Sequence, residues 1–127
     1  MDRIERWIKR KLAPAVAAGI GQWAESPAGA LGKPIYHVTD GAVMLVLSEL
    51  GFMYDGPSPP FECRYDEVEA IKPATLVEIM RLRGDLSKML TMEVKWRGVP
   101  GPLKLILPLR VYTSVAMVLV RIVDELA

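Results

Sequence analysis

This chain of 127 residues contains only one cysteine and one histidine, so it has little of what most chemical sites are built from. A single cysteine, Cys63, cannot form an internal disulfide and indicates a reducing compartment, which predicts a cytoplasmic protein. With His37 as the one histidine, there are too few soft donors for a transition-metal site, and we expect no metal and no cofactor. The chain also lacks a phosphate-binding glycine loop, a zincin helix and a nucleophile elbow. These absences predict a protein that is not an enzyme.

The chain also lacks an excess of charge and a long apolar run. Its 16 basic residues stand against 15 acidic ones, so no overall field favours nucleic acid, and we expect none as a partner. Trp96 lies between Lys95 and Arg97, but it alternates with these charges and is expected to face the core. The apolar run at 115–120 is closely bounded by basic residues and is far shorter than the roughly 18 to 20 residues of a membrane-spanning helix.

What the chain does contain is a series of short apolar segments with the period of two that is typical of strands. The runs at 35–38 and 42–47 are separated by Thr39, Asp40 and Gly41, which predicts a hairpin. Further strands are predicted around Phe52, Met53 and Tyr54, and where apolar residues alternate with charged ones in 61–66, 92–97 and 103–107.

Three segments have helical periodicity instead. Asp2 and Glu5 have the spacing of a capping box, which predicts a helix from about residue 3 to 24 that is kinked or restarted at Pro14. Thr75 and Glu78 repeat that spacing and predict a helix over about 76–89, with Leu76, Ile79, Met80, Leu86 and Leu90 on one side. After Pro108 a broad apolar stripe predicts a C-terminal helix. The fold class predicted is therefore α+β.

Two short motifs resemble those of bacterial pleckstrin-homology-like (PH-like) domains. The first is a turn leading a strand, here Thr39, Asp40 and Val43, and the second is an aromatic–acid–acid segment, here Tyr65, Asp66, Glu67, Val68 and Ile71. The resemblance covers about 34–126. It implies a partly open antiparallel barrel or two-layer sheet of about six strands, with an N-terminal helix, an inserted helix and a C-terminal capping helix. It divides the chain into an N-terminal helix and linker, 1–33, and a PH-like domain, 34–127.

The resemblance implies a non-enzymatic interaction or scaffolding module of bacterial type. Members of the family that bind phosphoinositides surround the phosphates with several basic residues near the first hairpin. This chain offers Lys33 alone there, so we expect no specific phosphoinositide site.

The strand predicted at 42–47 is apolar on both faces, because Val43, Leu45 and Leu47 alternate with Met44 and Val46. The C-terminal helix covers one face at most, so the other needs the N-terminal helix or a second copy of the protein. This pattern predicts self-association as a homo-oligomer, or binding to another protein.

The N-terminal segment concentrates positive charge, with five basic residues against two acidic ones in 1–11. One interpretation is a peripheral membrane protein at the inner membrane face, whose amphipathic helix contacts anionic lipid or a partner. The contact residues would be Arg3, Arg6, Trp7, Lys9, Arg10 and Lys11. The alternative is a packing helix with solvated cations, whose Ile4, Ile8 and Leu12 lie on the sheet or on a partner chain.

Two other candidate sites are weaker. A catalytic thiolate at Cys63 needs a base, for which His37 is the candidate, and we expect both to be ordinary strand residues. The acidic residues Asp66, Glu67 and Glu69 could hold a hard cation, but we expect them to be solvated edge carboxylates.

Overall fold

The computed structural model describes residues 3–126, and it confirms the predicted α+β class. The helices are α1 (Arg3–Ala17), α2 (Leu76–Met80) and α3 (Leu109–Leu126), and a 3₁₀ turn covers Tyr65–Glu67. The eight strands are β1 (Gln22–Trp23), β2 (Pro34–Asp40), β3 (Val43–Ser48), β4 (Gly51–Asp55), β5 (Phe61–Arg64), β6 (Val68–Lys72), β7 (Met89–Trp96) and β8 (Leu103–Pro108). The capping residue predicted at Asp2 lies outside the described residues.

The strands form two antiparallel sheets, one of five strands in the order β1-β2-β3-β4-β5 and one of three in the order β6-β7-β8. No backbone ladder joins β5 to β8, so the sheets do not close into a barrel. Side chains of β4 and of the segment between β4 and β5 contact β8 instead. Ser58 Oγ donates to the carbonyl of Lys104 at 2.6 Å, and the backbone N–H of Ile106 donates to Tyr54 OH at 3.2 Å. An open two-sheet fold results.

Strand pairing explains which face of the larger sheet is buried. Tyr36, Leu47, Phe52 and Cys63 are register partners across β2 to β5, and all four are buried. Paired residues point to the same side of a sheet, so this row forms the inner face. The neighbouring row, which includes Val46 and Met53, is half-buried or exposed and forms the outer face.

Helix α3 covers the inner side of the fold. It buries a broad stripe whose members are Val111, Tyr112, Val115, Ala116, Val118, Leu119, Ile122 and Val123. It contacts the three strands of the smaller sheet, the 3₁₀ turn and α1. Such a stripe recurs at the three- and four-residue spacing of a helix, so the C-terminal helix predicted from periodicity is confirmed.

Four local predictions are wrong. The N-terminal helix ends at Ala17 instead of residue 24, because Gly19 and Gly21 take positive φ angles of 82° and 78° and turn the chain into β1. The strand predicted over 61–66 ends at Arg64, where the 3₁₀ turn begins. About six strands were predicted and eight are present, since β1 fell inside the predicted helix and β6 was not predicted.

The fourth error concerns the inserted helix, predicted over 76–89. It is a single short helix, α2, whose N-cap Thr75 accepts a hydrogen bond from the Glu78 N–H as the capping spacing predicted. It ends at Met80 because the chain reverses through Arg83 and Gly84, which have φ angles of 52° and 75°. We call residues 73–89, the connection between β6 and β7 together with the first residue of β7, the arm.

Candidate interaction surface

Helix α1 buries its apolar stripe against its own chain. Ile8 and Leu12 are fully buried in contact with α3 and β2, and Ile4 packs on the same core. The helix therefore does not offer these side chains to a second copy or to a bilayer. What α1 leaves at the surface is its polar side and Trp7.

Glu5 is the acidic residue that holds α1 to the sheet. Its side chain is only 8% exposed and lies 3.1 Å from Lys9 Nζ and 3.5 Å from Lys33 Nζ. The hydrogen bond from Lys9, together with the charge of Lys33, lowers the pKa of Glu5 below its usual value despite burial. Lys9, which was predicted as a contact residue, and Lys33 are thus both engaged within the chain.

Trp7 lies between two arginines from different helices. The guanidinium carbons of Arg3 and Arg121 are 5.5 and 5.0 Å from the centre of its ring, within the range of cation–π contacts. Glu125 links the same two arginines, at 4.0 Å from Arg3 and 3.3 Å from Arg121. The end of α3 and the first turns of α1 thereby form one charged surface.

Three grooves run along this surface and share lining residues. The first, of about 420 Å³, is lined by Arg3, Arg6, Trp7 and Arg10. The second shares Trp7 and Arg10 with the first and adds Lys11 and Arg121. The third, of about 390 Å³, shares Lys11 and Arg121 with the second and is also lined by Pro73, Met117 and the acidic Asp124. We call the continuous surface formed by Arg3, Arg6, Trp7, Arg10, Lys11 and Arg121 the basic groove.

Three cations of the basic groove form no ion pair with another described residue. Within residues 3–126, no carboxylate lies within 4.0 Å of the side-chain nitrogens of Arg6, Arg10 or Lys11. All three side chains are exposed. Unpaired cations gathered on one surface attract an anionic partner, because their potentials add within a Debye length.

No family model, curated protein or solved structure matches this chain. The PH-like resemblance, and the division into 1–33 and 34–127, therefore stay predictions.

The two residues considered for nucleophilic chemistry are far apart in the sheet. Cys63 is in β5 and His37 in β2, with two strands between them, and they belong to different rows of the sheet. Cys63 is buried on the inner face, where desolvation and the charge of Glu67 raise the pKa of its thiol to about 12. Burial therefore disfavours the thiolate of Cys63, and His37 is not placed to act as its base.

The acidic cluster is divided among basic neighbours. Asp66 forms an ion pair with Arg64 at 3.2 Å, and Glu69 pairs with Lys95 at 3.4 Å. Glu67 lies in the 3₁₀ turn, not on a strand. In the part of the chain that the structure describes, no three His, Cys, Asp or Glu side chains gather closely enough to hold a metal ion. No helix in that same part is long and apolar enough to cross a membrane.

Two parts of the surface were missed from sequence. Arg121 joins the basic groove from α3, and its signal was an exposed cation that interrupts the apolar run 115–123 of that helix. The arm was predicted to be a long helix with Leu76, Met80 and Leu86 on one side, and the exposure of all three was not predicted. Trp96 is half-buried against the core, on the side where it was expected.

Proposed function

We propose that this chain is a non-enzymatic interaction module that binds an anionic membrane surface through the basic groove. One observation carries the proposal: α1 buries its apolar stripe within the fold and leaves Arg6, Arg10 and Lys11 exposed near Trp7, with no carboxylate of residues 3–126 within 4.0 Å of their side-chain nitrogens. Each basic side chain held near an anionic bilayer contributes on the order of 1 kcal/mol of binding. Several cations on one rigid surface therefore suffice for reversible attachment.

The surroundings of Trp7 support the same partner. Indole rings favour the headgroup region of a bilayer because one end is apolar and the other polar. Here the ring is half-buried and is flanked by Arg3 and Arg121, so cations lie on the same surface as the ring. The attraction is electrostatic, and we expect salt to weaken it strongly.

Sedimentation with vesicles tests the proposal. Vesicles of phosphatidylcholine containing about one third phosphatidylserine should bind the full chain at low salt, whereas pure phosphatidylcholine should not. The variant Arg6→Gln/Arg10→Gln should bind about tenfold or more weakly, because two cations are lost. The matched control is Lys95→Gln/Lys104→Gln, which removes the same charge from exposed positions on the smaller sheet. Equal loss in both variants, or no binding at low salt, contradicts the proposal.

Self-association is a second candidate, supported by the outer face of the larger sheet. Met44, Val46 and Met53 on that face are half-buried, and α1 packs instead on β2 and α3. A second copy of the chain is one partner that could cover the face. Light scattering on the full chain and on Val46→Lys tests this candidate, since a dimer through this face should become a monomer in the variant. A monomeric full chain contradicts it.

A further inference from the structure

The arm is a firmly attached segment that exposes apolar side chains. Its start is held by Tyr112, whose hydroxyl accepts a hydrogen bond from the Ala74 N–H at 2.6 Å. Its end is held by the N–H of Leu109, which donates to the carbonyl of Lys88 at 2.8 Å. Ile79 and Leu82 point inward and pack on the core. These contacts tie both ends and one side of the arm to the rest of the fold.

Five large apolar side chains of the arm face solvent: Leu76, Val77, Met80, Leu86 and Met89. Leu76 and Met80 are 70% and 67% exposed, and their spacing of four residues puts them on one side of α2. The other exposed large apolar residues of the described chain are Leu50, Met117 and Leu126. Soluble monomers rarely gather so many exposed apolar side chains in one segment unless the segment binds something.

The arm continues from the basic groove. Pro73, its first residue, lines the same groove as Lys11 and Arg121, and the exposed Met117 lines it too. The basic groove and the base of the arm therefore border one concave surface.

The positive charge around the arm favours an anionic bilayer over a second copy of the chain as the partner. Four basic side chains, Lys72, Arg81, Arg83 and Lys88, lie in or beside the arm against the two acids Glu78 and Asp85. None of the four has a carboxylate partner within 4.0 Å in residues 3–126. A second copy docked on this side would bring positive surfaces together, which costs binding energy. An anionic bilayer instead offers negative headgroups to the cations and an apolar boundary to the leucine and methionine side chains.

We propose that the arm inserts Leu76, Val77 and Met80 into the headgroup boundary of an anionic bilayer while the basic groove lies on the headgroups. This inference rests on the function proposed above. Insertion adds burial of apolar area to the electrostatic attraction, so part of the binding survives high salt. The basic groove and the arm together attach the chain to the bilayer. Electrostatic attraction and insertion each contribute to the binding, and neither is strong alone.

A fluorescent label at position 76 tests insertion directly. In Leu76→Cys, an environment-sensitive thiol dye is expected to label the new cysteine alone, because Cys63 is buried with its thiol pKa raised to about 12. Mixing with the phosphatidylserine-containing vesicles should shift the emission of the dye to shorter wavelength. The control is Glu62→Cys on β5, an exposed position where we expect no shift. No shift at position 76 on bound protein overturns insertion, while the membrane function stands.

Two double variants separate insertion from electrostatic attachment. Leu76→Ser/Met80→Ser should lower vesicle affinity about tenfold or more at high salt, because two apolar side chains are no longer buried. The single variant Leu50→Ser, at an exposed apolar residue outside the arm, should leave affinity unchanged. Weaker binding of Arg6→Gln/Arg10→Gln, together with a normal emission shift at position 76 on the protein that stays bound, supports both proposals. No binding of the unaltered chain overturns both. A shift at position 76 that depends on protein concentration without vesicles means that a second copy covers the arm, which also overturns the inference.

Discussion

Helix α1 and the arm are both amphipathic segments with a mixture of basic and apolar residues, yet they turn opposite sides to solvent. Helix α1 buries Ile8 and Leu12 and exposes its cations. The arm buries only part of its apolar side chains and leaves Leu76 and Met80 exposed. The comparison shows that the same local composition can stabilise the fold in one place and form a binding surface in another. The difference depends on whether a neighbouring element covers the apolar side.

The largest effect expected from this contrast concerns stability. Leu12→Ala should lower the free energy of unfolding by about 2 to 5 kcal/mol, because a fully buried side chain is removed from a packed core. Leu76→Ala should change it by less than about 0.5 kcal/mol, since that side chain already faces water. Urea unfolding of both variants measures the two values. A large loss for Leu76→Ala would break the comparison, because it would mean that the arm belongs to the core.

The attachment of the arm gives a smaller expected effect. Tyr112→Phe removes the hydroxyl that accepts from the Ala74 N–H and donates to the Thr91 carbonyl at 3.2 Å. We expect a loss of about 1 to 2 kcal/mol in the free energy of unfolding, because a half-buried N–H is left without its partner. Hydrogen exchange should become faster at Ala74, with the amides of α1 as the internal reference. Unchanged exchange at Ala74 contradicts an anchoring role for Tyr112.

The smallest effect is a pH dependence at Glu5. The pKa of Glu5 is lowered from 4.5 in the folded chain, so its contribution to stability is present above the unfolded value and is lost as pH falls through the folded one. Glu5→Gln should therefore cost about 1 kcal/mol near neutral pH, a value kept small because both lysines are partly exposed. Urea unfolding at about pH 7 and about pH 3 should show that this cost shrinks in acid.

The control for that prediction is Glu69→Gln. Glu69 pairs with Lys95 on the exposed surface of the smaller sheet, where an ion pair contributes little. We expect no comparable change with pH in that variant. If Glu5→Gln lowers the free energy of unfolding equally at neutral and acid pH, then the packing of the Glu5 side chain, and not its charge, holds α1 to the sheet.

Local patterns predicted most of the elements correctly. The hairpin around Gly41 is present as β2 and β3, and the stripe after Pro108 is α3. The wrong predictions fall where glycines or a turn end an element that the periodicity of the sequence would have continued. Gly19 and Gly21 end α1 before residue 24. Arg83 and Gly84 turn the chain after α2, so the helix predicted over 76–89 does not continue. Strand β6 was missed because it follows the 3₁₀ turn directly and its partner β7 is about twenty residues away in the chain.

The candidate surface was only partly predictable. Arg3, Arg6, Trp7, Arg10 and Lys11 could be grouped because they lie within three helical turns of each other. Arg121 joins them only through the packing of α3 on α1, a contact that spans more than a hundred residues of sequence. Lys9, which was grouped with them, instead pairs with the buried Glu5.

The sequence by itself determined the α+β class, the hairpins and the amphipathic helices, since each depends on periodicity and turn residues within a short stretch. The tertiary structure alone decided which apolar sides are covered. It packed α1 on its own domain, brought Arg121 to Trp7, and left the arm exposed at the end of the same grooves. The physical reason is that burial depends on contacts between elements distant in the chain, and a local pattern shows only that a side is apolar, not what covers it.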